Sequence, residues 1–297
     1  MEKKSLFLIL LILGCAFWGI SYPVTKLAVG DLSPDTFLFY RFLLATLVLC
    51  LVFAKSLKET NNEDIVMGMK LAIPLLVGIH LQTLGLKYSS ASQCSLIAST
   101  CVVIVPVMKV AFFRKKVALK IWLAALMALA GTIVISLKGD FKISIGDVYT
   151  TAGSLGFAVY LINVERYTAR RNLVPTIVPM FATCTIVTLI IALLDTSANW
   201  QPDTNVFWMG IVYCALFSTA FMYSVSNISQ RYISAEKVAI IYLFEPVFAA
   251  FFAFLILDES LSVRLLVGGL LIFGATIISE IKIKKEVVPD RNEPTKD

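Results

Sequence analysis

The chain has 297 residues, of which 58% are hydrophobic and only 15% are charged, and its mean hydropathy is +0.84. Because soluble proteins carry about 25% charged residues, this composition excludes an ordinary soluble domain and indicates a membrane protein. The formal net charge of +6 is typical of a membrane protein with basic cytoplasmic loops, so it does not indicate a nucleic-acid partner.

Apolar runs of about 20 residues recur along the chain, and each one predicts a membrane-spanning helix. The alternation of about 10 residues that marks β-barrel strands is not found. We predict an all-α membrane protein with ten spans, at about 6–29, 36–54, 66–87, 91–113, 117–137, 146–164, 174–195, 204–228, 234–257 and 261–281. The first run is longer than a signal-peptide core and is expected to be retained as a span. The polar tail, residues 286–297, is predicted to be disordered.

Basic residues are distributed unevenly between the predicted loops. If the N-terminus is cytoplasmic, the outer loops hold only Lys87, Lys138, Lys142 and Arg264, and most other lysines and arginines lie inside. The positive-inside rule therefore predicts a multi-pass protein of the inner (plasma) membrane with both termini in the cytoplasm. Lys109, one turn from the basic FRKK stretch, is predicted to snorkel to the interface.

Two segments of the chain resemble each other. Residues 88–136 begin YSSASQCSLIAS and end WLAALMALAGTIVIS, and residues 232–279 begin YISAEKVAIIYLFEP and end LLVGGLLIFGATIIS. They fall on predicted spans 4–5 and 9–10, so each repeat holds five helices and the two halves face opposite ways in the bilayer. Such inverted repeats characterise secondary transporters. We therefore predict two inverted five-helix repeats, residues 1–140 and 141–285.

Three stretches of the chain resemble a known family: WGISYPVTK at 18–26, YRFLLA at 40–45 and SAEKVAIIYLFEPVFAAFFAFLILDESLS at 234–262. They are similar to elements of the first, second and ninth helices of the EamA-type drug/metabolite transporters, and the resemblance covers essentially the whole chain. It implies ten helices, a central cavity lined mainly by helices 3, 4, 8 and 9, and transport of metabolites such as amino acids. The two repeats differ where Val102 stands in the position of Pro246, with Pro106 one turn later.

Glu245 is the strongest candidate site residue, because it is predicted near the middle of the ninth span. A charge at the bilayer centre costs about 2.5–3.5 kcal/mol. Pro246 lacks an amide and is predicted to break the helix and free the carbonyl of Tyr242, as Pro106 is predicted to break the fourth span. A carboxylate beside a free carbonyl suits a cation, a proton or an ammonium group. The alternative is a buried glutamate that only ties helices together.

Six further residues are candidates for substrate binding or coupling. His80, the only histidine, and Gln82 share the third span but point to different sides, so only one of them is expected to face a cavity. Either could contact substrate or make an interhelical bond. Lys26 and Arg41 would attract carboxylates, act in gating, or snorkel to the interface. Trp18 and Tyr242, which lies one turn before Pro246, would contact an apolar, aromatic or cationic ligand, or only pack.

The sequence motifs favour a transporter over other membrane proteins. A nucleotide-binding GxxxxGK[ST] stretch, an HExxH motif and a GxSxG motif are all missing from the sequence. The six cysteines show no CxxC spacing, so neither a metal site nor another cofactor is expected. We predict a secondary transporter, acting as monomer or homodimer, that exports small metabolites such as amino acids in exchange or with an ion, by alternating access. The alternatives are an intramembrane enzyme and a non-transporting scaffold.

Overall fold

The computed structural model describes residues 3–30, 32–89, 91–114, 116–136, 144–257 and 263–280. Helices, turns and short irregular loops account for all of these residues, with no strand among them. Outside the described residues lie Lys138 and Lys142 of a predicted outer loop, the charged turn after the ninth predicted span, and the tail 286–297.

Fourteen α-helices and one π-helical stretch are described. In the first half of the chain they are α1 Lys3–Val29, α2 Pro34–Val52, α3 Ala54–Leu57, α4 Asn62–Tyr88, α5 Ala91–Ala98, α6 Cys101–Phe113 and α7 Leu119–Ser136. In the second half they are α8 Ile145–Thr168, α9 Val174–Leu194, α10 Asn205–Tyr213, the π segment Cys214–Phe221, α11 Met222–Ser229, α12 Ala235–Tyr242, α13 Phe244–Leu257 and α14 Val263–Glu280.

Six helical stretches of the described chain are long and apolar enough to cross a membrane, the last of them being α10, the π segment and α11 taken together. Three shorter apolar helices lie within α6, α7 and α14. The protein is therefore an all-helical, multi-pass membrane protein in its described part, as predicted. The count of ten spans stays a prediction, because these shorter helices fall below the length of about 20 residues that a bilayer requires.

Helix starts follow from local capping residues. The side chain of Ser33 accepts a hydrogen bond from the Asp35 amide at the start of α2. Asn61 with Asp64 forms a capping box at the start of α4, and Ser144 with Asp147 does the same at the start of α8. Each cap satisfies amides that the first helical turn leaves without partners.

Glycines bring α4 and α8 into close contact. A Cβ atom on Gly156 would lie 2.8 Å from the Gly78 amide nitrogen, and one on Gly153 would lie 2.9 Å from the Gly78 carbonyl oxygen. Similar close contact joins α7 to α14, where a Cβ on Gly131 would lie 2.7 Å from the Gly268 carbonyl. Small residues of this kind let membrane helices approach each other.

The helices are interrupted at two places beside the cavity. One interruption separates α5 from α6 at Ser99 and Thr100, whose hydroxyls donate to the carbonyls of Ser95 and Ile97 at 2.7 Å. Such side-chain bonds compete with regular helical bonding. The prediction of a break at Pro106 therefore differs from the structure, since α6 continues through that proline.

The second interruption lies at Leu243, between α12 and α13. Pro246 is in the first turn of α13, where the missing amide costs no helical hydrogen bond. The proline thus follows the interruption, and the chain turn at Leu243 is closed by a bond from its amide to the Ile240 carbonyl at 3.2 Å.

Candidate functional site

A cavity lies between the helices where both interruptions occur. Its lining comes from α1, α2, α4, α5, α6, α8, α11, α12 and α13. The volume open to the centre of a water molecule is about 70 Å³. The resemblance implied a cavity lined mainly by the third, fourth, eighth and ninth predicted spans. In the structure α1 and α8 also contribute several side chains.

Glu245 reaches this cavity from the first turn of α13 and is partly exposed to it. The hydroxyl of Tyr22 on α1 is within hydrogen-bonding reach of its carboxylate. Gln82 on α4 also lines the cavity and donates from Nε2 to the Tyr22 hydroxyl at 2.6 Å. Among the ion pairs of the described residues, none includes Glu245. Among the described residues, the donor shown beside its carboxylate is thus the neutral Tyr22 hydroxyl.

Arg41 brings the opposite charge to the same cavity from α2, with only 7% of its surface exposed. Its Nε donates to Thr219 Oγ1 at 2.7 Å and its Nη2 donates to Ser218 Oγ at 3.0 Å. Both hydroxyls belong to the π segment, and π-helical insertions are frequent at functional sites. No ion pair of the described residues includes Arg41. The guanidinium is therefore held in place by neutral groups.

Aromatic side chains form one wall of the cavity that Arg41 and Glu245 also line. Trp18 donates from its indole to the Ser218 carbonyl at 2.8 Å. Its ring meets the ring of Tyr242 edge-on, with centroids 4.7 Å apart, and lies 5.3 Å from that of Tyr223. The Tyr242 hydroxyl is 2.5 Å from Ser226 Oγ. Because these polar atoms are satisfied within the protein, the rings offer apolar and π surfaces to a ligand.

Two of the predicted site residues do not line the cavity. His80 lies on another side of α4 from Gln82, and its Nδ1 is 3.4 Å from Asp35 Oδ1. Lys26 is exposed, and its Nζ donates to the Ser89 carbonyl at 2.6 Å. Lys26 borders a second hollow at the ends of α1 and α4 that shares Thr25 with the cavity. It therefore lies at the cavity's mouth on that side.

Two functional-site residues were missed from the sequence. Ser218 and Thr219 are neutral residues of an apolar segment, and nothing in their spacing distinguishes them. Lys109 was predicted to snorkel, which is wrong, because only 3% of its surface is exposed. It is paired instead with Glu165, at 2.5 Å, and with Glu236.

The fold and the cavity define the class: an all-helical, multi-pass membrane protein with charged groups buried around a central cavity, as membrane transporters have. The profile of the EamA-like transporter family matches residues 5–137 and, a second time, residues 144–280. The chain therefore belongs to the EamA-like transporter family, and the resemblance inferred from the motifs is confirmed.

Known relatives agree with this membership. An "Uncharacterized transporter" of Archaeoglobus fulgidus is 28% identical over 90% of this chain and 83% of its own length. "Uncharacterized transporter YdfC" of Bacillus subtilis is 21% identical over 90% of this chain and 89% of its own. One solved crystal structure matches 94% of this chain and 97% of its own, with a TM-score of 0.75 at 15% identity. That likeness shows a shared fold.

Proposed function

We propose that this transporter moves small zwitterionic metabolites, amino acids or related compounds, across the inner membrane by alternating access of the central cavity. The observation that carries the proposal is that Arg41 and Glu245 face one cavity without forming an ion pair with each other. A guanidinium recognises carboxylates and a carboxylate recognises ammonium groups. Buried charges without an oppositely charged partner are costly. A zwitterion would supply the missing partner to both.

The size of the cavity supports a small substrate. One water molecule needs about 10–15 Å³ of volume open to its centre, so the cavity offers room for roughly five to seven waters. This space suits a compound of amino-acid size better than a peptide or a nucleotide. The wall formed by Trp18, Tyr242 and Tyr223 favours an apolar or aromatic side chain.

We further propose ten spans in two inverted repeats, residues 1–140 and 141–285. In this division α5 with α6, α10 with α11, and α12 with α13 each count as one span. Helix contacts support this division. The first helix of one repeat, α1, packs on α10, α11 and α13, and its counterpart α8 packs in the same way on α4, α5 and α6. Two further contacts, α2 with α9 and α7 with α14, each join a helix to its counterpart in the other repeat. Exchanging the two repeats therefore leaves these contacts unchanged.

The interruptions also support the inverted arrangement. Ser99 and Leu243 each lie eight residues after the alanine of the repeated Ser-Ala pair, Ala91 and Ala235. Cys101 and Glu245, which follow the two interruptions at matching positions, both line the cavity. Broken helices at the interface of inverted repeats are the usual substrate site of secondary transporters.

Direction and coupling belong to the proposal as well. We propose export, in exchange or with an ion, and both termini in the cytoplasm, as the basic loops indicate. Glu245 would bind the proton, the coupling cation or the substrate ammonium group. Membership of a transporter family favours this function over an intramembrane enzyme or a scaffold.

Uptake into proteoliposomes tests the proposal. The purified protein would be reconstituted and offered labelled amino acids with and without a pH gradient. We expect saturable, protein-dependent uptake of at least one amino acid, and loss of that uptake in Glu245→Gln. Absence of uptake for all amino acids, with the protein folded and inserted, would contradict the proposed substrate class.

A further inference from the structure

A charge cluster around one buried lysine joins three helices away from the cavity. Lys109 on α6 lies between Glu165 on α8 and Glu236 in the first turn of α12. Its Nζ is 2.5 Å from Glu165 Oε2, and it also contacts Glu236 Oε2. Glu165 Oε1 accepts a further hydrogen bond from the Ala235 amide at 3.4 Å, at the start of α12. One lysine therefore links α6, α8 and α12 at a single point.

The cluster lies at the N-terminal face, by which we mean the end of the helices where α1, α4, α9 and α12 begin. Nearby contacts identify this end. The ring of Phe7 on α1 stacks on Tyr232 with centroids 5.3 Å apart, and Thr168 at the end of α8 bonds the Gln230 carbonyl. The hollow beside Lys26 lies at the other end, where α1 and α4 finish.

Two of the three linked helices, α6 and α12, each adjoin one of the interruptions. α6 runs from the Ser99–Thr100 interruption to the N-terminal face, and α12 runs from that face to the interruption at Leu243. At 1.5 Å per residue, Lys109 and Glu236 lie about 10–15 Å from the interruptions along their helices. These two segments pack on each other, and each lines the cavity at its end next to the interruption, through Cys101 of α6 and Tyr242 of α12.

We propose that Lys109, Glu165 and Glu236 form the latch of the gate that closes the cavity at the N-terminal face. The assignment depends on the proposed alternating access, in which this face must open while the other is closed. Opening requires α6 and α12 to part, and the interruptions at Ser99–Thr100 and Leu243 supply the flexible points. The latch contact then has to break.

The chemistry of the cluster suits two discrete states. When the face is closed, Lys109 is buried, the two carboxylates are partly buried, and the three charges hold one another with little access of water. When it opens, water reaches all of them and replaces the lost contacts, so the cost of desolvation is recovered. The contact is strong while little water reaches the charges, and water replaces it once the face opens. The cluster therefore favours either fully closed or fully open arrangements over intermediate ones.

Access of a reagent to Cys101 tests the latch. Cys101 lines the cavity, and the other five cysteines would be replaced by alanine. A membrane-impermeant thiosulfonate would be added to either side of oriented vesicles. Lys109→Met should raise the labelling rate from the N-terminal face about tenfold, the shift expected when a closed state loses about 1.4 kcal/mol of stabilisation. The rate from the opposite face should not rise.

A matched control comes from the same face. Arg171 pairs with Glu63 and Asp64, at 2.9 and 2.8 Å, between the start of α4 and the turn after α8. Arg171→Met removes a basic residue there without touching α6 or α12. Its labelling rate should equal that of the unsubstituted reporter protein. An increase as large as that of Lys109→Met would mean general loosening and would overturn the proposal.

Two further variants keep the test decisive if Lys109→Met does not fold. Glu236→Gln leaves Lys109 paired with Glu165, so no buried charge loses its partner, yet labelling from the N-terminal face should still rise. Lys109→Glu combined with Glu236→Lys restores one lysine and two carboxylates and should return the rate to its starting value. Unchanged labelling in Lys109→Met, or in Glu236→Gln where the first variant does not fold, overturns the latch. Because labelling needs no substrate, failure of amino acids to be transported would refute the proposed function separately.

Discussion

The sharpest prediction concerns Arg41, because its geometry dictates which ligand group it can bind. Thr219 and Ser218 occupy Nε and Nη2, which fixes the guanidinium and leaves Nη1 for a substrate carboxylate. A hydrogen bond to a charged group contributes about 1.5–3 kcal/mol. Since 1.4 kcal/mol is a factor of ten in Kd, Arg41→Gln should weaken binding of an amino acid such as leucine by about 10- to 100-fold.

Calorimetric binding to the purified protein measures this effect against a matched ligand. The amine that lacks the leucine carboxylate, 3-methylbutylamine, cannot contact Arg41. It should bind equally to both proteins. The converse test uses 4-methylpentanoate, which lacks the ammonium group of leucine. Its binding affinity should not change in Glu245→Gln. If Arg41→Gln weakens leucine and its amine by the same factor, Arg41 only supports the π segment and the reasoning is refuted.

Four further predictions concern other parts of the molecule. Glu245→Gln should insert normally but reduce gradient-driven flux at least about tenfold, and unchanged flux with unchanged pH dependence would make Glu245 structural. Reporter fusions after residue 285 and within 196–203 should lie on opposite sides of the membrane, and a shared side would contradict the ten-span arrangement. Pro246→Ala should shift the Tm in detergent by less than about 4 °C, because the proline occupies a first turn; a larger loss would mean that its ring packs in the core. Gly156→Ala should destabilise by about 1–3 kcal/mol, whereas the control Gly269→Ala, whose Cβ would meet only the Val247 side chain at 3.5 Å, should not; equal melting curves would contradict the close contact between α4 and α8.

Helix positions were predictable from the sequence because apolar runs leave little choice in a bilayer, where backbone groups must bond within the helix. The family was predictable because three stretches, at 18–26, 40–45 and 234–262, resemble its motifs in the order in which they occur along the chain. The interruptions were less so. The proline at position 106 suggested a break there, yet the break lies at Ser99 and Thr100, whose hydroxyls bond to helical carbonyls. Serine and threonine are common inside helices, so they give no distinct signal in the sequence.

Charge partners were the least predictable part of the site. Lys109 meets Glu165 and Glu236, which lie on other helices far along the chain, so only the tertiary arrangement reveals the cluster. His80 looked functional as the only histidine, but the structure places it beside Asp35, at the start of α2. Periodicity along one helix cannot tell which neighbouring helix a polar side chain will face.

Counterflow in proteoliposomes tests the central claim most directly, because it requires one site that faces the two sides in turn. Vesicles loaded with unlabelled leucine would be diluted into a trace of labelled leucine without any ion gradient. The account predicts a transient accumulation of label above its external concentration, absent in Arg41→Gln and in empty vesicles. If label only equilibrates or does not enter, with leucine and with the other amino acids, alternating access of this cavity to amino acids is contradicted.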